Sequence, residues 1–295
     1  MSECTLPRPP SYDFWGTLRF LRFGSYDQTT SLSKHEFQQA RWYPSGPATL
    51  ILRDTPHEIR VSALGPGATH AIASAENLLG LNDVSPTLTG HPVVERLSKR
   101  CRGVRLSKSA SFSDRLIQII LQQRIEWQQA ATQWRHLVRR HGSIAPCNQL
   151  RLPPASLQLR RTSLLELRRM NIAEQQGRIL LEVARLADRI DTWANSSTEE
   201  LRYRLQHIRG IGPWTTEMTL ALYWAEADAV PTGDYALPHS VAYALEGEHR
   251  ANDSRMLELL HPFRPHRGRI IRWIMGENIA PPRRSHRARK SRDFE

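Results

Sequence analysis

Asp234 stands alone as a carboxylate at the head of a helical segment, between Pro231-Thr232-Gly233 and Tyr235-Ala236-Leu237. A rigid, isolated carboxylate can steady a developing positive charge or orient an attacking water. Aspartate is also a favoured helix N-cap, and Pro238 still falls within the first turn, so a purely structural cap reads equally well here. The second chemical stretch precedes it: Leu205-Gln206-His207-Ile208-Arg209-Gly210-Ile211-Gly212-Pro213-Trp214-Thr215-Thr216-Glu217-Met218. Its pattern is helix, tight hairpin, helix. Gly210 and Gly212 bracket a bend, and Pro213 suits the first turn of a new helix. Backbone N–H groups at such a helix start, with the positive end of the dipole, can hold a phosphate. An ordinary corner between two helices would show the same pattern.

The two stretches together, a Gly-Ile-Gly-x-Trp-Thr hairpin followed by a glycine- and proline-rich loop and Asp-Tyr-x-Leu, resemble the helix-hairpin-helix DNA glycosylases. Within that superfamily the chain is most similar to bacterial 3-methyladenine DNA glycosylase II, from about Tyr12 to about Gly276. The resemblance implies a mainly α fold with a small α+β N-terminal domain. It also implies a base-excision repair activity that flips an alkylated purine out of double-stranded DNA and hydrolyses its N-glycosidic bond. Asp234 would then stabilise the oxocarbenium-like sugar. Two alternatives remain: a glycosylase for uracil, hypoxanthine or an oxidised purine, and a non-catalytic protein that uses the hairpin only to grip DNA.

The resemblance also assigns roles residue by residue. In the strand-cutting relatives a lysine of the hairpin segment attacks the sugar. Here that place holds Trp214, and no lysine lies between Lys108 and Lys290. Water is therefore the expected nucleophile, with no strand cleavage. Trp214, Trp273, Phe20 and Met218 map to the base pocket, Met218 standing where the relative has tyrosine. Aromatic faces there would attract the cationic alkylated bases. Arg124 occupies the place of the side chain that fills the gap left by the flipped nucleotide. Gln123, Gly210, Gly212 and Thr215 join it as DNA contacts. The carbonyls of Gln206, Ile208 and Ile211 map to a structural Na+ or K+ site used when DNA is bound, and no catalytic cofactor is implied. Each assignment competes with a plain structural role, since tryptophans at helical spacing usually fill cores and an arginine beside two glutamines is usually a surface residue.

Composition is compatible with a nucleic-acid partner. The chain of 295 residues is 40% hydrophobic and carries a net charge of +12. The stretch Pro281 to Glu295 has six positive and two negative side chains, which leaves +8 on the remainder. Such an excess favours a polyanion, although a G·C-rich genome also enriches arginine over lysine. Cys4, Cys101 and Cys147 lack the spacing of a zinc or iron–sulfur site. Met1 to Pro7 has no apolar core of a secretory leader, and no window is apolar enough to span a membrane. A cytoplasmic, nucleoid-associated bacterial monomer is the expectation.

These residues need elements to hold them. Residues 1–11 are proline-rich and expected to be loose. Alternation over Phe14–Phe23, then Leu50 and Leu52, a turn at Asp54-Thr55-Pro56-His57, then Ile59, Val61 and Ala63, predicts strands. Ala68–Leu79 predicts a helix. Together they form an N-terminal domain over 1–90. Helical periodicity dominates 91–280, with Ser113 as a cap, a break at Gln122-Gln123-Arg124, the hairpin within about 198–225, and the Asp234 loop. Residues 281–295 read as a disordered basic tail.

Overall fold

The computed structural model describes residues 2–109, 112–147 and 149–282. The basic tail from 283 onward, which sequence patterning assigns to disorder, lies outside the described residues.

The N-terminal part is a five-stranded antiparallel sheet. Its strands are β1 (Ser2–Pro7), β2 (Thr30–Leu32), β3 (Glu36–Tyr43), β4 (Gly46–Asp54) and β5 (Glu58–Leu64), in the order β1-β5-β4-β3-β2. The strand–turn–strand pattern is present as β4 and β5, with Leu50 opposite Ala63 and Leu52 opposite Val61. Residues 2–7 are not loose. They pair with β5 as an edge strand, where Pro7 at the strand end is tolerated because an edge need not supply every ladder donor. Residues 14–21 are helical rather than extended: α1 (Phe14–Leu18) runs into a 3-10 turn, and Asp13 caps it by accepting the Gly16 N–H at 2.8 Å. Phe14, Leu18 and Leu21 fit a helical stripe as well as an alternating one, so short apolar spacing alone misleads. The expected helix over 68–79 is two short ones, α2 (Ala68–Ala73) and α3 (Ala75–Leu78), broken at Ser74.

The rest is helical: α4 (Pro92–Arg100), α5 (Ser113–Leu121), α6 (Trp127–His141), α7 (Ser156–Arg160), α8 (Leu164–Arg169), α9 (Glu174–Asp191), α10 (Thr198–Gln206), α11 (Pro213–Tyr223), α12 (Leu237–Glu246), α13 (Asp253–Leu260) and α14 (Arg267–Gly276). Ser113 does not cap α5; it is the first residue of the helix. The orphan N–H groups of Phe112 and Ser113 go instead to the Asp191 carboxylate at 3.2 and 2.9 Å. A remote carboxylate thus does the work that a local hydroxyl was expected to do.

Three large apolar clusters organise these elements, beside a small one of Ala40, Ala145, Leu150 and Leu152. One gathers α5, α6, α9, α10 and α11 around Trp134, Leu180 and Leu205. A second lies on the inner face of the sheet and takes in Ile119, Met218, Leu222 and Tyr223, so α5 and α11 stitch the sheet to the helices. The third packs α4, α12, α13 and α14 around Val241, Met256 and Trp273. Across the second seam, Arg41 of β3 forms a buried ion pair with Asp114 of α5. Its neighbour Arg115, fully buried, donates to the Leu21 carbonyl at 2.9 Å and lies over the Tyr223 ring at 4.9 Å. No described helix is long and apolar enough to cross a membrane.

Candidate active site

The hairpin joins α10 to α11. Ser197 caps α10 through the Glu200 N–H at 3.1 Å, and Leu201 and Leu205 bury the inner face. The two glycines then do different work. Gly210 has φ +91, and a Cβ there would meet Ile179 Cγ1 at 2.4 Å. Gly212 has φ −97 and nothing within 4 Å of a would-be Cβ. The first glycine makes the bend, and the second leaves open space at the start of α11. The N–H groups of Gly210, Gly212 and Trp214 have no acceptor among the described residues. This is the geometry a phosphate oxygen fits. Gly210→Ala is expected to destabilise the fold by about 2–4 kcal/mol, from left-handed strain plus the clash with Ile179. Gly212→Ala is expected to leave the thermal midpoint unchanged, since its Cβ would meet nothing within 4 Å. Thermal melting of the two variants checks both outcomes.

Asp234 faces the beginning of α11. Its Oδ2 accepts the indole N–H of Trp214 at 2.8 Å, and its Oδ1 accepts the N–H groups of Ala236 and Leu237 at 2.9 and 2.8 Å. Asp234 is not the N-cap of α12, which is Ala236; it lies two residues before the cap and braces the helix start through these two N–H groups. The loop before it is held from another element: the Gly233 N–H donates to Asp253 Oδ2 at 2.8 Å. Asp234 and Trp214 are both half-buried, so the carboxylate is fixed yet reachable.

The other pocket candidates are placed unevenly. Met218 is buried in the second cluster, and Phe20 and Trp214 pack against that same cluster. Trp273 is 2% exposed within the third cluster, alongside Leu237 of the Asp234 helix. The Phe20 ring already meets two protein cations, with the guanidinium carbons of Arg272 at 4.5 Å and Arg19 at 5.2 Å from its centroid. Burial, with Arg269 and Arg19 close by, pulls the Arg272 pKa down to about 10. Lys108 has its pKa lowered by burial, but its ammonium sits 3.8 Å over the Trp224 ring. Trp224 lies about 15 Å along α11 from Trp214, given the rise of 1.5 Å per residue.

The break after α5 is a sharp turn in which Arg124 is exposed and left-handed, with φ +61. A non-glycine residue held there is strained and over-determined by its surroundings. The restraints come from two glutamines. Gln123 Nε2 donates to the Gly210 carbonyl at 3.1 Å and to Thr215 Oγ1 at 2.9 Å. The buried Gln176 Nε2 donates to the Leu121 and Gln123 carbonyls at 3.1 and 2.8 Å. Thr215 is therefore internal, 3% exposed, and positions Gln123 rather than offering its hydroxyl outward. Sequence reasoning missed Gln176. Its one signal is a polar residue on the buried stripe of Ile179, Leu180 and Val183.

Of the three hairpin carbonyls, that of Ile208 accepts the Ile211 N–H at 3.0 Å, whereas those of Gln206 and Ile211 have no donor among the described residues. Two free carbonyls and one with a spare lone pair fit a monovalent cation. No group of three or more His, Cys, Asp or Glu among the described residues could hold a metal ion.

No protein-family model matches the chain, and no curated protein matches it. Solved structures do. A 3-methyladenine DNA glycosylase from Archaeoglobus fulgidus superposes with TM-score 0.77 at 17% identity, over 93% of this chain and 97% of that one. An 8-oxoguanine glycosylase/lyase from Clostridium acetobutylicum, in complex with DNA containing cytosine opposite 8-oxoG, gives 0.67 at 10% identity, over 90% and 91%. The chain has the helix-hairpin-helix glycosylase fold. The 3-methyladenine DNA glycosylase Mag1 of Schizosaccharomyces pombe, in complex with abasic DNA, aligns over 65% of this chain and 92% of its own, with TM-score 0.51 at 21% identity. The glycosylase fold thus places the hairpin, the Arg124 turn and the Asp234 loop within reach of one another, the first two being joined directly by Gln123.

Proposed function

We propose that this chain is a monofunctional DNA glycosylase that excises alkylated purines from double-stranded DNA by hydrolysis. The observation that carries the reading is the Asp234 carboxylate, fixed by three hydrogen bonds beside the open N-terminus of α11. The N–H groups of Gly210, Gly212 and Trp214 grip a phosphate, and a Na+ or K+ on the carbonyls of Gln206, Ile208 and Ile211 would bridge to the same backbone. Flipping a base out of the stack costs a few kcal/mol. Arg124, held outward by its turn, enters the gap and hydrogen-bonds the orphaned partner. Asp234 then stabilises the positive charge that grows on the sugar as the base departs, and orients the water that adds to it. The half-exposed Trp214 ring supplies a π face for a cationic base.

The absence of a lysine at this position supports hydrolysis over amine attack, because Lys108, whose pKa burial lowers, is stacked on Trp224 at the far end of α11. Borohydride treatment during turnover is expected to trap no covalent adduct, and base release is expected to leave an intact abasic strand. An adduct on a gel would reject the monofunctional reading.

A second reading is favoured by one observation. Phe20, expected to stack a cationic base, already lies against the Arg19 and Arg272 guanidiniums. Fixed positive charge on that wall repels an alkylated, cationic purine and suits a neutral lesion with carbonyl acceptors, such as hypoxanthine or an oxidised purine. Incubation with methylated DNA and with hypoxanthine-, uracil- and 8-oxoguanine-containing duplexes, followed by identification of the freed base, separates the two. Free 3-methyladenine and 7-methylguanine support the first reading, and a neutral base alone supports the second.

A further inference from the structure

The turn that holds Arg124 leads directly into α6, and another built surface begins there. Trp127 is 49% exposed and Tyr26 is 75% exposed. Both are large surface aromatics, Trp127 at the start of α6 and Tyr26 in a turn. Tyr26 belongs to the loop over residues 22–29, which is laid across α6 and pinned from inside. Asp27, 8% exposed, accepts the Phe23 N–H at 2.9 Å, the Thr29 N–H at 2.9 Å, the Thr29 hydroxyl at 2.8 Å and the Trp134 indole N–H at 3.2 Å. Gly24, with φ +91, lets the loop press onto Ala131, where a Cβ would come within 2.7 Å of the alanine methyl. Phe23 meets the rings of Trp127 and Trp134 edge to face, at 6.2 and 6.4 Å. The Arg135 guanidinium lies 5.5 Å over the Tyr26 ring. Trp127, Ala131 and Arg135 are spaced four apart, so they share one side of α6 with the loop seated between its two ends.

We propose that Trp127, Tyr26 and Arg135 form a ledge that holds the DNA flank leaving the Arg124 turn. The inference rests on the glycosylase reading above and extends its DNA contact to a second area. Three arguments select DNA as the occupant. The ledge is continuous with the turn that carries the proposed wedge. Its charge is complementary: Arg22 lies in the same loop as Tyr26, Arg124 and Arg139 stand three residues before Trp127 and four after Arg135, and Asp27 in that loop is consumed internally. Its make-up, aromatic faces alternating with a guanidinium, suits nucleotides, whose bases or sugars stack while phosphates meet the cation. The ledge spans about 12 Å of helix, which matches about three to four base steps of DNA. Nucleotides next to a flipped base are partly unstacked, so an aromatic shelf at that distance recovers stacking that flipping removes.

The test pairs Tyr26→Ala/Trp127→Ala with nested lesion duplexes, each flank being cut back in turn to four base pairs. Wild-type protein is expected to lose about tenfold in affinity when one particular flank is cut, the scale of one lost stacking contact. The double variant is expected to bind full-length DNA about tenfold more weakly and to be indifferent to that cut, while cutting the other flank affects both proteins alike. Trp127→Phe retains the stacking face and is expected to bind as wild type, and melting curves establish that all variants fold. A double variant that binds full-length DNA as tightly as wild type, or that keeps the flank dependence, overturns the ledge alone. A wild-type chain that binds no lesion duplex overturns both the ledge and the glycosylase reading.

Discussion

Asp234→Asn is expected to reduce base release by about 10³-fold or more while DNA affinity stays within a few-fold of wild type. The magnitude is that of removing one electrostatic group aimed at developing charge in a preorganised site, and a factor of 10³ corresponds to about 4 kcal/mol of barrier. The substitution keeps an acceptor for the Ala236 and Leu237 N–H groups, so the brace at the start of α12 survives. On the proposed mechanism, what is lost is the negative charge that would stand beside the sugar. The new amide N–H₂ also opposes the Trp214 indole N–H, which now donates to Oδ2. Trp214→Phe separates these effects, because it removes the hydrogen bond and keeps both the carboxylate and an aromatic face. If the carboxylate acts by charge and the indole only orients it, Trp214→Phe costs far less than Asp234→Asn. Single-turnover release of free base, with binding measured on the same duplex, reads both. Release by Asp234→Asn within tenfold of wild type would remove Asp234 from the chemistry, whereas DNA binding without base release by the wild type would leave the DNA-gripping alternative standing.

Asp114→Ala is expected to destabilise the fold by about 3–5 kcal/mol, the cost of leaving a buried charge without its partner. Arg41 has a side chain only 1% exposed and Asp114 one 10% exposed, so the stranded guanidinium cannot turn to water. Arg115, next along α5, is fully buried, with its pKa drawn down to about 10 by burial and by the neighbouring Arg41 charge. Losing the carboxylate leaves two like charges facing each other across the seam between sheet and helices. Replacing both partners, as in Arg41→Met with Asp114→Leu, is expected to recover most of the loss, because an apolar pair escapes the desolvation penalty. Urea unfolding midpoints of the single and double variants decide the matter. A single variant within about 1 kcal/mol of wild type would mean that the pair carries no net weight. The same helix ends at the Arg124 turn, so the single variant is also expected to loosen the proposed wedge.

The chain itself specified its local structure well where a pattern was long or chemically marked. The helices of the body, the β4–β5 hairpin and the bend at Gly210 follow from 3.6-residue periodicity, strict alternation and a glycine that alone tolerates φ +91 beside Ile179. Asp234 was visible because one carboxylate stood alone after a glycine loop. Short segments were misread in both directions: Phe14–Leu21 alternates yet is helical, and Ser2–Pro7 contains proline yet pairs as an edge strand. In such short runs the two periods coincide, and capping and pairing partners decide the outcome.

Only the tertiary structure decided which side chains meet. Asp191 caps a helix that begins 78 residues before it, Gln176 holds a turn 53 residues upstream, and Gln123 reaches 87 residues to the hairpin. It also decided that Phe20 faces arginines rather than open space, and that Trp273 lies inside a core. The physical reason is common to all of these. Backbone preference acts over a turn or two, whereas the satisfaction of a buried donor or carboxylate depends on whatever the folded chain brings within about 3 Å of it.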